Sequence, residues 1–230
     1  MIAPTEPAAP RGAAFFDLDG TLVAFNSGLR YARFEHREGR IGALQMLQSA
    51  VWMGLYHLSL VDMERAFKKA IAYYRGEPES ALDARTRAWF EGAVAPHLQP
   101  GAAAALAEHR AAGTPCVLLS STSSYLARAA TERWGLDGWL ANHFPTDAAD
   151  RLTGEVAEPL CYGAGKIAHA ARWAEAHGYD LGASWFYTDS LSDRPMLEAV
   201  GHPVVVQPDP RLRRHARRVG WPIVDWRRAP

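Results

Sequence analysis

The sequence has little of several features that mark special classes of protein. Its 230 residues include only two cysteines, Cys116 and Cys161, which excludes a disulfide-stapled secreted scaffold and a cysteine-rich zinc domain. Basic and acidic residues balance at 25 each, so no overall field draws the chain towards nucleic acid. The first eleven residues lack the apolar core of an export signal and are expected to be frayed. We expect a cytoplasmic protein without a nucleic-acid partner.

Charged residues are missing from residues 41–61, a stretch close to the length that spans a bilayer. Five polar side chains interrupt this stretch, and its larger aliphatic residues recur at helical spacing: Leu44, Leu47, Val51, Leu55 and Leu58. Burying the polar groups in lipid would be costly, which favours a packed helix with one broad apolar face. We expect no stable membrane insertion, and contact with a membrane surface stays open as an alternative.

The arrangement of apolar patterns indicates the fold class. Residues 27 to about 96 carry only helical patterns, whereas both flanks alternate short apolar strands with amphipathic helices. This predicts an α/β fold, with a Rossmann-like, mainly parallel sheet flanked by helices in residues 1–24 and 97–230 and a helical insertion at 25–96. The predicted helices are 27–38, 60–74, 80–92, 101–112, 124–134 and 164–177; the predicted strands are 13–16, 116–119, 184–188 and 204–207, with a hairpin within 143–157.

Two carboxylates and the Thr21 hydroxyl follow directly after the apolar run 13–16. Strand geometry places Asp17 and Asp19 on one face, since side chains repeat every second residue, and Gly20 permits a sharp turn. In open parallel sheets, ligands lie beyond the carboxyl ends of the strands. Two like charges held this close need a cation, or one of them must take up a proton. The sequence therefore predicts a catalytic site at this strand end.

Further polar groups fall at the ends of later predicted elements, and each suits a phosphate or a metal ion. Ser120 ends a strand, in a hydroxyl-rich turn before a helix whose N-terminal N–H groups favour an anion. Lys166 stands near the start of another helix, as a compact charge on a flexible arm. Asp189 and Asp193 follow the next strand and offer the hard oxygen ligands that Mg²⁺ requires. Each group alone is typical of a cap or a solvated charge, so their joint occurrence carries the prediction.

In this order the motifs resemble those of the haloacid dehalogenase-like superfamily, and more narrowly its phosphoserine-phosphatase-like branch, subfamily IB. The likeness extends over nearly the whole chain and includes residues 187–198, 201–203 and 209–212. A helical insertion after the first strand is what the family calls a C1 cap. The resemblance implies an Mg²⁺-dependent phosphatase that acts on a small phosphomonoester, with the insertion at 25–96 as its cap.

The resemblance also implies roles for individual residues. Asp17 would attack phosphorus, and Asp19 would protonate the leaving alcohol and then deprotonate water. Ser120 and Lys166 would hold phosphoryl oxygens, with Thr21 helping to position them.

The implied magnesium site uses two of the same residues. Side-chain oxygens of Asp17 and Asp189 and the backbone carbonyl of Asp19 would ligate Mg²⁺. Asp193 would orient a metal-bound water or Lys166.

The residues that select the substrate are harder to assign. The phosphoserine phosphatases resembled here carry a Glu nine residues after the nucleophile, where this chain has Asn26. An amide brings no negative charge to meet a substrate ammonium, which weakens the case for phosphoserine. Basic residues of the insertion could meet a more acidic substrate: Arg30, Arg65, Lys68, Lys69 and Arg75. Three aromatic residues could line an apolar pocket, although their helical spacing favours core packing: Trp52, Tyr56 and Trp89.

Two other functions stay open on the sequence alone. One is a lipid or head-group phosphate phosphatase that docks on a membrane surface through the apolar helix at 41–61. The other is a noncatalytic phospho-ligand-binding protein that has kept the fold. The intact set of acidic residues favours the enzyme over the binder, and nothing in the sequence fixes an oligomeric state.

Overall fold

The computed structural model describes residues 11–47 and 63–228. Its strands are β1 (Ala14–Phe16), β2 (Cys116–Ser123), β3 (Gly138–Asn142), β4 (Trp185–Thr188), β5 (His202–Val206) and β6 (Ile223–Val224). Its longer helices are α1 (Ser27–Arg37), α2 (Met63–Ile71), α3 (Glu79–Ala93), α4 (Pro100–Ala111), α5 (Ser124–Trp134), α6 (Gly165–His177), α7 (Arg194–Ala199) and α8 (Pro210–Val219). Short 3-10 turns occupy Ala72–Tyr74, Ala95–His97, Leu181–Ala183 and Leu191–Asp193.

The six strands form one parallel sheet in the order β3-β2-β1-β4-β5-β6. The chain runs outwards from β1 to β3 on one side, returns to β4 on the other side of β1, and continues to β6. The carboxyl ends of β2, β1 and β4 therefore lie side by side where the strand order reverses, which is where open α/β sheets bind ligands. The predicted Rossmann-like parallel sheet flanked by helices is confirmed.

Strand β1 is fully buried because helices cover both faces of the sheet. Phe16 belongs to a core shared with α3, α4 and α5, whereas Phe15 belongs to a core shared with α6, α7 and α8. The ring of Tyr187 on β4 stacks on Phe16 with 4.7 Å between centroids. A run that is apolar on both faces is typical of a central parallel strand, and this explains why residues 13–16 do not alternate.

Helices α1, α2 and α3 lie between β1 and β2 along the chain, within the segment predicted as the helical insertion. The last of them, α3, packs on α5 through an edge-to-face contact of Phe90 with Trp134, with centroids 5.5 Å apart. Just before α3, the Gly76 N–H donates to the Leu152 carbonyl at 2.8 Å and the Leu152 N–H donates to the Glu77 carbonyl at 2.9 Å. The C-terminal part of the insertion is therefore held against α5 and against the loop that contains Leu152.

Several predicted elements differ from the observed ones. The sequence patterns predict neither β3 nor β6, and β2 runs four residues beyond the predicted strand, to Ser123. The hairpin predicted within 143–157 is observed as a loop that folds back on itself without regular strands: an antiparallel bridge joins Thr146 to Leu152, and the Thr153 N–H donates to the Pro145 carbonyl at 2.9 Å. The neighbouring Arg151 also forms a bridge with Pro78, ahead of α3, so this loop pairs with the insertion as well as with itself.

The apolar helix predicted at 41–61 falls partly outside the described residues. Residues 43–47 are helical, with Leu44 and Leu47 exposed, and the rest from residue 48 onwards is not described. Across 11–47 and 63–228, no helix combines the length and apolar character needed to cross a membrane.

Candidate active site

The first acidic motif begins directly where β1 ends. The Asp17 N–H donates to the Tyr187 carbonyl of β4 at 2.9 Å, so sheet pairing fixes the backbone of Asp17. Gly20 follows with φ of +73°, and a Cβ at this position would lie 2.1 Å from Oδ2 of Asp189. Glycine therefore serves twice here: it allows the left-handed turn, and it lets the Asp189 carboxylate approach the backbone of the first motif.

Lys166 joins two of the acidic residues. Its Nζ donates to Oδ1 of Asp17 at 3.0 Å and to Oδ2 of Asp193 at 2.7 Å. The same Asp193 oxygen accepts a hydrogen bond from the Thr188 hydroxyl at 2.7 Å. Lys166 is 1% exposed, and a buried ammonium persists only when it is paired and hydrogen-bonded. Asp193 thus helps to hold the Lys166 ammonium in contact with Asp17.

The Asp19 carboxylate lies at the N-terminus of α1. Its Oδ1 accepts the Ser27 N–H at 2.9 Å, which is one of the donors that a helix leaves unpaired at its start. Asn26 caps the same helix, because its Oδ1 accepts the Leu29 N–H at 2.8 Å. The helical insertion is therefore tied at its first turn to the second carboxylate of the motif.

Burial raises the pKa of the clustered carboxyls. It raises the pKa of Asp17 to about 6, while the positive charge of Lys166 works against the rise. It raises the pKa of Asp19 to about 7, and hydrogen bonds from Ser27 oppose this. The pKa of Asp189 is raised well above its ordinary value by burial and by repulsion from Asp17. A carboxyl with a pKa near 7 can exchange a proton at neutral pH.

Lys166 keeps its charge within this site. Burial alone would lower its pKa, but the negative charges of Asp17 and Asp193 raise the pKa above the ordinary lysine value. The residue is therefore a permanent positive charge beside the first carboxylate, suited to a phosphoryl oxygen.

The predicted phosphate-binding hydroxyls lie at two places. Ser120 lies in the second half of β2, the strand next to β1, and is 3% exposed. Its Oγ accepts the Thr122 N–H at 3.4 Å. Thr21 is completely buried, and its hydroxyl has no hydrogen-bond partner in the described part of the chain. Gln99 donates to the Thr21 carbonyl at 2.7 Å. The burial of Thr21 favours a role in shaping the turn, and its contact with a phosphoryl oxygen stays a prediction.

Sequence patterns do not single out several residues that shape this site. Thr188 holds Asp193, and its only sequence signal is its position directly before Asp189. Ser27 acts through its backbone N–H, which leaves no signal at all. Asn142, at the end of the unpredicted strand β3, contacts the Ser121 carbonyl at 2.8 Å.

The basic residues predicted as substrate contacts have other partners or are exposed. Arg30 donates to the Ala93 carbonyl at 3.3 Å, and its guanidinium lies 3.3 Å from the centroid of the Phe25 ring. Lys68 forms an ion pair with Glu158 at 2.5 Å. The others are exposed: Arg65, Lys69 and Arg75.

Of the three aromatic residues considered for an apolar pocket, only Trp89 lies within the described residues. It is buried, and its ring packs edge-to-face against Tyr31 at 5.0 Å. It thus belongs to the core. Trp52 and Tyr56 fall outside the described ranges.

The acidic residues fit a magnesium ion. Asp189 feels the negative charges of Asp17, Asp193 and Asp19, an excess of charge that a divalent cation would neutralise. Within the described residues no three His, Cys, Asp or Glu side chains form a ready-made metal cage. The predicted set has two carboxylates and one carbonyl, and Mg²⁺ commonly takes one or two carboxylates and keeps several waters.

Comparison with known proteins agrees with this geometry. The profile of the haloacid dehalogenase-like hydrolases matches residues 14–198. The chain is 33% identical over 222 residues to the inhibition of morphological differentiation protein of Streptomyces azureus, covering 95% of this chain and 80% of that protein. It is 32% identical over 224 residues to a phosphoserine phosphatase of Mycobacterium tuberculosis (94% and 71% covered). A histidinol-phosphatase of Neisseria meningitidis is 25% identical over 221 residues (94% and 100% covered).

A solved structure is also similar over most of the chain. A crystal structure of a Bordetella pertussis protein with unknown function has a TM-score of 0.84 and 28% identity, covering 95% of this chain and 100% of that one. The likeness thus includes the helical insertion as well as the sheet.

Proposed function

The chain belongs to the haloacid dehalogenase-like hydrolases, in the phosphoserine-phosphatase-like branch, and is a phosphatase; from this premise we propose that it hydrolyses a small phosphomonoester with Mg²⁺ through a phosphorylated Asp17. The observation that carries the proposal is the pairing of Asp17 with Lys166 at 3.0 Å. This pairing supports the proposal because the carboxylate proposed as nucleophile lies beside a fixed positive charge at the carboxyl end of the central strand.

The proposed reaction has two steps that share one proton carrier. An Asp17 oxygen attacks phosphorus, the phosphorus–oxygen bond of the ester breaks, and Asp19 gives its proton to the leaving alcohol. Water then attacks phosphorus, Asp19 takes up the proton of that water, and the bond between phosphorus and the Asp17 oxygen breaks, which releases inorganic phosphate and restores the Asp17 carboxylate. The pKa of Asp19 near 7 supports both directions of transfer.

Phosphoryl transfer depends on positioning and on charge stabilisation. Lys166 and Ser120 are proposed to hold the phosphoryl oxygens, and Asp193 to keep Lys166 in place. Side-chain oxygens of Asp17 and Asp189 and the carbonyl of Asp19 would hold Mg²⁺, which when bound neutralises phosphate charge.

The cap and the substrate class are part of the proposal. We assign residues 25–96 as the cap and residues 1–24 and 97–230 as the catalytic core. Asn26 caps α1 with its carboxamide oxygen, so it brings no carboxylate to a substrate ammonium. This argues for a substrate other than phosphoserine. Measuring kcat/KM over a panel of sugar, amino-acid, amino-alcohol and nucleotide phosphates would identify the substrate.

The central test is release of phosphate from p-nitrophenyl phosphate, with and without Mg²⁺. We expect Mg²⁺-dependent turnover that Asp17→Asn abolishes, and a mass increase of one phosphoryl group on the wild-type chain after acid quenching. Asp150→Asn is the matched control, because Asp150 is exposed with φ of +55°, a conformation that asparagine tolerates. Full activity in Asp17→Asn would contradict the proposal, and phosphate-ester binding without turnover in the wild type would support a noncatalytic binder.

A further inference from the structure

Asn142 connects two loops of the active site that come from distant parts of the chain. It is the last residue of β3 and is 3% exposed. Its Nδ2 donates to the Ser121 carbonyl at 2.8 Å, and its Oδ1 accepts the Cys161 N–H at 2.8 Å. Both polar ends of the carboxamide are therefore committed to backbone groups, and each of these groups lies next to a proposed phosphate-binding element.

The first contact repairs an irregularity in the sheet. In the pairing of β2 with β3, Leu119 faces Leu140 and Ser123 faces Asn142. Four residue steps on β2 thus match two on β3, so residues 120–122 bulge out of the ladder. A bulge leaves backbone groups without their ladder partners and redirects nearby side chains. The Asn142 side chain supplies the partner for the Ser121 carbonyl, directly beside Ser120.

The second contact fixes the approach to Lys166. Cys161 is fully buried and directly precedes a tight turn in which the Gly165 N–H donates to the Tyr162 carbonyl at 2.9 Å. A Cβ on Gly165 would lie 2.0 Å from the Leu160 carbonyl oxygen, so the turn is closely packed against the start of α6. A displacement of Cys161 would therefore be passed on to Lys166.

We propose that Asn142 is a positioning residue, which sets the spacing between Ser120 and Lys166 so that both reach the same phosphoryl group. This inference rests on the proposed function. Asparagine suits the position because it donates on one side and accepts on the other. Aspartate has the same shape but has no hydrogen to donate to the Ser121 carbonyl when ionised, and it keeps the acceptor for Cys161.

The test compares Asn142→Asp with Ala141→Gly. Ala141 is 2% exposed on the same strand, and glycine there weakens β3 without removing the carboxamide link. Binding of inorganic phosphate to the Mg²⁺-loaded protein is measured by calorimetry, together with kcat and KM for p-nitrophenyl phosphate and the midpoint of thermal unfolding. We expect Asn142→Asp to weaken phosphate binding and raise KM by about tenfold to a hundredfold, since small misplacements of binding groups have such effects. Ala141→Gly should lower the unfolding midpoint and leave phosphate affinity unchanged.

Three outcomes are decisive. Wild-type phosphate affinity in a folded Asn142→Asp overturns the inference, as does an equal loss of affinity in Ala141→Gly at a similar fall in the unfolding midpoint. If Asn142→Asp does not fold, Asn142→Ser takes its place. A serine side chain is too short to contact both loops, so we expect this variant to weaken phosphate binding as well. A wild-type protein without Mg²⁺-dependent turnover overturns the proposed function instead, and phosphate binding then still tests the role of Asn142.

Discussion

Two clusters in this protein, one buried and one partly buried, have the same composition, one cation between two carboxylates, but differ in net charge. In the site cluster, Lys166 lies between Asp17 and Asp193. In the cap cluster, Arg85 of α3 lies between Glu35 of α1, at 2.8 Å, and Glu77, at 2.6 Å.

The cap cluster is balanced. Arg85 uses its planar fork to meet both oxygens of Glu77, at 2.6 and 3.2 Å, and its Nε to meet Glu35. Arg40 adds a second positive charge 3.9 Å from Glu35. Two cations thus face two carboxylates, and the pairing satisfies the guanidinium with good geometry. Such an arrangement holds α1 against α3.

The site cluster is not balanced. Asp19 and Asp189 add negative charge around the pair of Asp17 with Lys166, so four carboxylates share the neighbourhood of the Lys166 ammonium. Burial raises the pKa values of these carboxyls, and repulsion between them adds to the rise. A structural cluster such as that of Arg85 thus neutralises itself, whereas the proposed active site keeps an excess of negative charge that a bound divalent cation would neutralise.

The largest expected effect comes from removing the cation of the site cluster. Lys166→Met should lower kcat/KM by roughly 10²- to 10³-fold, the usual consequence of losing one preorganised group that stabilises charge in the transition state. Steady-state kinetics with p-nitrophenyl phosphate measures it. Arg133→Met is the control, because Arg133 pairs with Glu91 at the surface, and its kcat/KM should stay within about twofold of wild type. Equal losses in both variants would contradict the comparison.

Removing the cation of the cap cluster should act on stability. Arg85→Met leaves Glu35, 1% exposed, without its main partner, and breaking a buried pair in this way costs about 3 kcal/mol of unfolding free energy or more. Urea unfolding measures the loss, and kcat/KM per folded molecule should change only a few-fold. An undiminished unfolding free energy would show that Arg40 alone suffices for Glu35.

The raised pKa values in the site cluster predict how stability depends on pH without a divalent cation. The pKa values of Asp17 and Asp19 are raised by burial to about 6 and about 7, so the folded state holds protons that the unfolded state releases near pH 4. The contribution of these two groups to the unfolding free energy of the protein therefore falls as pH rises from about 4 to about 7, by several kcal/mol. His109 and His143, whose pKa values are lowered by burial, act in the opposite direction below about pH 6.5.

Urea unfolding between pH 5 and 8 in the presence of a chelator tests this dependence, with Asp19→Asn as the variant. The neutral amide should flatten the pH dependence, and added Mg²⁺ should stabilise the wild type more at pH 8 than at pH 5. A wild-type profile that the Asp19→Asn change does not alter would show that the carboxyl titrates normally.

The smallest effect is expected where the same kind of pair is exposed. Arg87, two residues from Arg85 on α3, pairs with Glu132 of α5, and both side chains are largely exposed. Arg87→Met should cost less than about 1 kcal/mol of unfolding free energy. A loss as large as that of Arg85→Met would mean that the packing of α3 on α5, rather than burial of the ion pair, determines how much unfolding free energy each pair contributes.

Sequence patterns predict those parts of the molecule that short-range chemistry determines. The strand before Asp17, the helix from Ser124 to Trp134 and the motif residues all follow from runs of neighbouring residues. Strand β3 does not, because Gly138, Ala141 and Asn142 have low strand propensity and the strand forms by pairing with β2.

The contacts that assemble the site are of the same long-range kind. The pairing of Lys166 with Asp193, the contact of Gly20 with Asp189 and the link through Asn142 depend on which strands become neighbours. Periodicity along the chain does not record this information, and the topology of the sheet supplies it.

The distance along the chain between Asp17 and Lys166, 149 residues, has a consequence for biosynthesis. A nascent chain exposes Asp17, the proposed nucleophile, long before the ribosome has made the lysine that pairs with it, and β1 gains β4 as a neighbour later still. We therefore expect partly synthesised chains to be inert towards phosphate esters. Turnover in a translation reaction would report the moment at which the two halves of the sheet join.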